Sequence, residues 1–175
     1  ANQFAARFDY SFDSSDLSLH FLQHQDRSQP QFVLASNELR PVYLPVTQYG
    51  GTYQLVVEDW VFKVEAVYRD FTDSLVTTNY GTLRNLDHSQ VAVGLENGWT
   101  HNSGAESTVL VEAQSIVGLT KTERASMGAF QNDVLLGYRL AFNDTYSQEL
   151  FASVIADVER SREYLFNVSY GRRLT

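Results

Sequence analysis

Glu58-Asp59-Trp60-Val61-Phe62-Lys63-Val64-Glu65-Ala66-Val67-Tyr68-Arg69-Asp70-Phe71-Thr72-Asp73 is the stretch on which the fold turns. Taken alternately, Trp60, Phe62, Val64, Ala66 and Tyr68 fall on one side and Val61, Lys63, Glu65, Val67 and Arg69 on the other, which is the period of a β-strand. The apolar side is ordered along its length, with amphipathic aromatics at both ends and Phe or aliphatic residues between. An extended chain from Trp60 to Tyr68 covers about 26 Å at roughly 3.3 Å per residue. Tilted by about 40°, it projects to roughly 20 Å, close to the height of the apolar band that aromatic girdles flank on an outer-membrane barrel. The opposite row of Lys63, Glu65 and Arg69 suits a wet interior. A half-buried strand of a soluble sheet alternates in the same manner, so the remaining sequence has to discriminate.

The chain has 175 residues, which predicts one domain spanning 1–175. A net charge of -8 and a pI near 4.9 argue against a nucleic-acid partner, which would call for a basic stripe. Cysteine is absent, which removes disulfides and thiolate metal sites. No apolar run reaches the ~20 residues of a membrane helix. A membrane strand needs only about 9 to 11 residues and alternates, so a mean hydropathy of -0.26 is compatible with a barrel. The sequence starts at Ala1 without an initiator Met, and the expectation is a processed or trimmed chain, or part of a longer one.

The same alternation recurs in both directions from the central stretch. Phe4, Ala6, Phe8, Tyr10 and Phe12 share a face, with Arg7 and Asp9 opposite; Asp13-Ser14-Ser15-Asp16 then turns the chain. Leu17, Leu19 and Phe21 oppose Ser18, His20, Leu22 and His24. A polar loop follows from Gln25 to about Arg40, and Pro41 and Pro45 delay the third strand to about Val46–Val57. Beyond the central strand, a second long loop spans about Thr72–Asp87 and contains Asn79. A fifth strand is predicted over Gln90–Glu96, with Asn97-Gly98 and Asn102-Ser103-Gly104 as turn signals. A sixth covers Ser107–Ile116, with Leu110 on its polar side. A third long loop covers Gly118–Asn132, and a seventh strand carries Val134, Leu136, Tyr138, Leu140 and Phe142 on one face.

Residues 148–159 fit two periods. Leu150, Phe151, Val154, Ile155 and Val158 form a helical stripe with Ser147 as N-cap, while Leu150, Ala152, Val154, Ala156 and Val158 alternate. Strand is preferred because both neighbours are strands. The last strand sets Tyr164, Phe166, Val168 and Tyr170 against Glu163, Leu165, Asn167 and Ser169. About nine strands result, with connections alternating short and long as on an outer-membrane barrel, except around Glu159–Arg162, where a long connection is due and a short one stands.

If the aromatics pointed inward, a small closed barrel would be overcrowded. The outward face is therefore predicted to meet lipid through Phe8, Tyr10, Tyr53, Trp60, Phe62, Val64, Tyr68, Leu136, Tyr138, Phe142, Phe166 and Tyr170. The lumen is predicted to receive Arg7, Asp9, His20, Lys63, Glu65, Arg69, Glu96, Glu112, Arg139 and Asp157. On the Asp59–Phe71, Gln90–Glu96 and Leu135–Leu150 segments, the last with its Gly-Tyr-Arg-Leu-Ala-Phe-Asn-Asp-Thr centre, the chain resembles bacterial outer-membrane β-barrel proteins of the porin-like kind. The resemblance implies an all-β, antiparallel, up-and-down transmembrane barrel in a bacterial outer membrane. Two departures stand out: the chain ends Arg172-Arg173-Leu174-Thr175 where such proteins commonly end in an aromatic residue, and nine strands is odd where bacterial single-chain barrels are even. The expectation is a segment of a larger even-stranded barrel.

Catalytic chemistry is not expected. His20 and His24 lie about 13 Å apart on a strand, too far to share an ion. His88 and Ser89 are adjacent and point to opposite faces, and no Gly-x-Ser-x-Gly elbow is present. No metal or cofactor is therefore assigned. The expected partners are the lipid bilayer and small polar solutes, with no outer-membrane or periplasmic partner protein identifiable. The functional expectation is a porin-like passive channel with a mixed-charge lumen. Its alternatives are a plugged scaffolding barrel and a soluble lipocalin-like barrel holding an apolar ligand.

Overall fold

The alternating segments form nine strands hydrogen-bonded side by side in one antiparallel sheet. The computed structural model describes residues 3–28, 30–35, 38–71, 76–78, 81–83, 85–127, 131–160 and 163–173. Ala1, Gln29, Thr72, Asp73, Asn79, Arg162, Leu174 and Thr175, which enter the sequence reading, lie outside the described residues. In chain order the elements are β1 (Phe4–Ser11), β2 (Ser15–Gln25), β3 (Gln31–Ala35), β4 (Glu38–Val42), β5 (Pro45–Val57), β6 (Trp60–Asp70), β7 (Val76–Thr78) and β8 (Gly81–Leu83). They continue with β9 (His88–Thr100), β10 (Glu106–Val117), α1 (Lys121–Met127), β11 (Asn132–Ala141), β12 (Glu149–Asp157) and β13 (Tyr164–Gly171). The large sheet has the order β1-β2-β5-β6-β9-β10-β11-β12-β13, so each strand pairs with the next long one in sequence. This is an up-and-down topology. Among the described residues β1 and β13 are not paired with each other, and both strands are exposed along their whole length.

Connections 12–14, 58–59, 101–105 and 142–148 lie at one end of the sheet; 26–44, 71–87, 118–131 and 158–163 lie at the other. Within residues 148–159, Glu149–Asp157 form strand, paired on both sides from Glu149 to Ala156. Four sequence expectations are corrected. The first long loop contains the β3–β4 hairpin, with Pro41 inside β4, and β5 starts on Pro45 rather than after it. Both are positions where a missing N–H is tolerated, at the edge or the start of a strand. The second loop contains the β7–β8 hairpin. The third contains α1, whose start is a capping box: Glu123 Oε2 accepts from the Thr120 N–H at 2.7 Å, and Thr120 Oγ1 accepts from the Glu123 N–H at 3.4 Å. Finally, Asn97-Gly98 is not a turn but lies within β9, opposite Trp60 on β6 and Thr108 on β10.

Register aligns the two faces across the sheet. One row of opposed residues runs Tyr10, Leu17, Tyr53, Val64, Val93, Ala113, Val134, Ala156 and Tyr164 through all nine strands. Its neighbour on the opposite face runs Asp9, Ser18, Thr52, Glu65, Ala92, Gln114, Asp133 and Asp157. The apolar face is open to its surroundings: Tyr49, Trp60, Phe62, Val64, Tyr68 and Leu136 are between 42% and 51% exposed, and Phe166 reaches 74%. Over β10–β12 the other face carries apolar side chains among its polar ones: Leu110 and Phe151 close over Gly137, where a Cβ would lie 3.0 Å from Leu110 Cδ2. The buried apolar residues Leu44, Val46 and Phe71 gather beneath the long connections, and Ala105 lies in a turn at the other end. No helix among the described residues is long and apolar enough to cross a membrane.

Candidate functional site: a polar trough closed at one end by loops

Side chains from successive strands line three adjoining hollows on the polar face. The first, of about 300 Å³, lies among His20, Gln48, Glu65, Gln90, Gln114 and Gln131. A second, of about 250 Å³, shares Glu65 and Ala92 with it and adds Lys63 and Glu112. The third, about 290 Å³, shares Thr52 and Gln54 with the second and reaches Arg7, Asp9 and Asp16. Together they make a polar trough across the strands. Gly50 keeps its floor low, because a Cβ there would stand 2.4 Å from His20 Nε2 and 3.0 Å from the Ala66 carbonyl. The His20 ring therefore lies over bare backbone.

The ten residues expected to face a lumen all share this face or its rim, but their charges are largely paired. Arg7 donates to Asp9 at 2.8 Å, Lys63 to Glu96 at 3.0 Å and Arg139 to Glu149 at 2.6 Å. Glu65 and Glu112 have no ion-pair partner among the described residues. Asp157 serves the turn: its Oδ1 accepts from the N–H groups of Glu159 and Arg160, both at 2.8 Å. The twelve residues expected to face outward share the apolar face, except that Phe142 lies just past β11, where its N–H donates to the Gln148 carbonyl.

Arg69 stands at the loop-covered end of the trough. Its Nη1 donates to Ser28 Oγ at 2.7 Å and lies 3.7 Å from Asp26 Oδ1, and the Asp26 side chain is only 3% exposed. Ser28 returns two hydrogen bonds to Asp26 Oδ1, from its N–H at 2.9 Å and its hydroxyl at 2.6 Å. Beside this group His88 is buried, stacked at 6.1 Å on Phe71, with its Nδ1 2.8 Å from the Leu86 carbonyl. That contact makes Nδ1 the protonated nitrogen. Gln31 donates to Asn85 at 2.6 Å, joining the first long connection to the second.

The third long connection is clasped to the fourth. Arg124 of α1 holds Glu159 with two hydrogen bonds, from Nε at 3.0 Å and from Nη2, while Lys121 Nζ donates to the Glu159 carbonyl at 2.9 Å. The Arg124 hydrogen bond holds the Glu159 carboxyl below the usual carboxylate range, and Glu159 in turn raises the guanidinium. Because the folded carboxyl titrates below its unfolded value of about 4.3, the clasp contributes fully above that value and is lost as pH falls through the folded one. The protection of amides across 121–127, measured relative to the intrinsic exchange rate at each pH, is expected to be high at pH 6 and to fall below about pH 4. Glu159→Gln should show low protection at both pH values. Equal protection in the two proteins at pH 6 would show that the clasp does not hold α1.

At the opposite end the apolar face contains a Ser–His pair that sequence reading did not single out. His101 Nε2 lies 2.6 Å from Ser107 Oγ, which lies 2.8 Å from the Tyr138 hydroxyl. Ser107 is fully buried, so no substrate reaches its hydroxyl; the three groups satisfy one another on a face otherwise apolar. The glutamines of the trough were also missed. Their only signal was position, since Gln48, Gln90 and Gln114 alternate in phase with the charged residues.

Comparison with known proteins finds no family model, no curated protein and no solved structure that matches the chain.

Proposed function

We propose that the chain forms a transmembrane β-barrel wall in a bacterial outer membrane and acts as a porin-like passive channel for small polar solutes. The observation that carries this reading is the pairing of a continuous exposed apolar face with a polar trough behind it. Soluble monomers rarely expose contiguous apolar patches beyond a few hundred Å². On this face aliphatic residues such as Val64, Val93 and Leu136 occupy the middle, with Trp60 and Trp99 towards one rim and Tyr49 and Tyr68 towards the other. That arrangement matches an apolar band between aromatic girdles. A lipocalin-like carrier would need apolar lining around its hollows, where this chain places amides and carboxylates over β2 to β10.

The reading sets a condition on the edges. Lipid leaves no backbone hydrogen-bonding group unsatisfied, so β1 and β13 must each pair with another strand in the membrane. Nine antiparallel strands leave β1 and β13 running in the same direction. An antiparallel barrel therefore needs an odd number of further strands between them, which gives an even total. The test is extraction followed by conductance. The protein should require detergent, and the closed barrel should pass potassium chloride current in planar bilayers. Recovery as a soluble monomer without detergent overturns the membrane reading, whereas detergent dependence without current favours the plugged scaffold.

A further inference from the structure

We infer that the unpaired carboxylates of the trough, Asp16, Glu65 and Glu112, select small cations over anions in the passage proposed above. This deepens the channel reading and rests on it. The residues lining the three hollows include two cations, Arg7 and Lys63, against four carboxylates, Asp9, Asp16, Glu65 and Glu112. Both cations are already neutralised, Arg7 by Asp9 at 2.8 Å and Lys63 by Glu96 at 3.0 Å. Asp16, Glu65 and Glu112 have no ion-pair partner among the described residues, and all three are exposed. Each hollow therefore offers an open carboxylate, and none offers a free Lys or Arg.

Placement turns this imbalance into a path. Asp16 stands on β2, Glu65 on β6 and Glu112 on β10, each strand separated from the next by one intervening strand. Two strand spacings come to roughly 10 Å, about the screening length at 0.1 M salt, so neighbouring fields overlap. On β9, Ala92 lies opposite Glu65 and Gly94 opposite Glu112, so only small residues stand beside the two carboxylates there. The acids are spread along the trough rather than gathered to chelate, and no group of three His, Asp or Glu among the described residues is placed to hold a metal ion. A cleft lined by one sign of charge concentrates the opposite ion and excludes its own.

The test is the reversal potential of the closed barrel, carrying the full chain, under a potassium chloride gradient in planar bilayers. Potassium is expected to pass roughly three- to tenfold more readily than chloride near 0.1 M salt. The preference should shrink towards unity near 1 M, where the screening length falls to about 3 Å. Glu65→Gln combined with Glu112→Gln should remove at least about half of it, while Glu65→Asp, which keeps the charge, should retain it. The salt dependence needs no variant and so decides the matter even if the double substitution fails to fold. Current without cation preference, a preference that salt leaves unchanged, or one that persists in the folded double variant overturns the inference and leaves the channel reading standing. A closed barrel that passes no current overturns both.

Discussion

Val64→Arg is expected to weaken insertion into lipid vesicles by about 2–4 kcal/mol, the cost of a cation at mid-bilayer on the outer wall of a barrel. Val64 is suited to reveal it. The residue lies midway along β6, between Tyr53 and Val93 in the apolar row, and is 44% exposed. Its chain neighbour supplies the control, because Glu65 points into the trough. Glu65→Gln should leave insertion unchanged and alter which ions or solutes pass. The measurement is a urea titration of vesicle-inserted protein, read by the shift of the folded band on unheated gels. A similar loss in both variants would contradict the facing of the two sides. A loss from Glu65→Gln alone would put water on the apolar face and exclude the membrane reading.

The contrast between adjacent residues also explains what was legible in the sequence. A period of two fixes the face of every side chain, and one register slip would have reversed it. The opposite facing of Val64 and Glu65 could therefore be read before any pairing was known, whereas the rows they join across the sheet could not. Local signals were weaker guides. Asn97-Gly98 resembles a turn, yet both flanks pair within β9, and Asn97 Nδ2 and the Gly98 N–H donate to the Asp59 carbonyl at 3.1 and 3.3 Å. Tertiary pairing outweighed turn chemistry there. The opposite error occurred at α1, where Thr120-x-x-Glu123 is a local start signal within a stretch read as loop. At the site, strand alternation made the charged residues visible, but not their ion pairs. Lys63 finds Glu96 and Arg124 finds Glu159 across more than thirty residues of chain, a proximity that no local pattern encodes.

The Arg69–Asp26 pair is the distant contact with the largest consequence, and Arg69→Met is expected to cost about 3–5 kcal/mol of stability. The substitution retains the aliphatic stem and removes the charge facing a carboxylate whose side chain is 3% exposed. Asp26 would keep its two hydrogen bonds from Ser28, which places the expected loss at the lower end of that range. Its Oδ2, already without a partner among the described residues, would then have no cation nearby to offset burial. Asp26→Asn alone should also destabilise, since it leaves the guanidinium, 17% exposed, without its counter-charge. Combining the two should recover much of the loss, because replacing both ions of a buried pair by neutral groups is often near neutral. Denaturant midpoints of the four proteins close the cycle, and additive losses would show that the two residues act independently. Asp26 opens connection 26–44 and Arg69 lies at the end of β6, so the pair ties the first long loop to the mouth of the trough. Arg69→Met should accordingly raise proteolytic cleavage within 26–44 before it unfolds the sheet, whereas cleavage and unfolding at the same denaturant concentration would mean that loop and sheet form one cooperative unit.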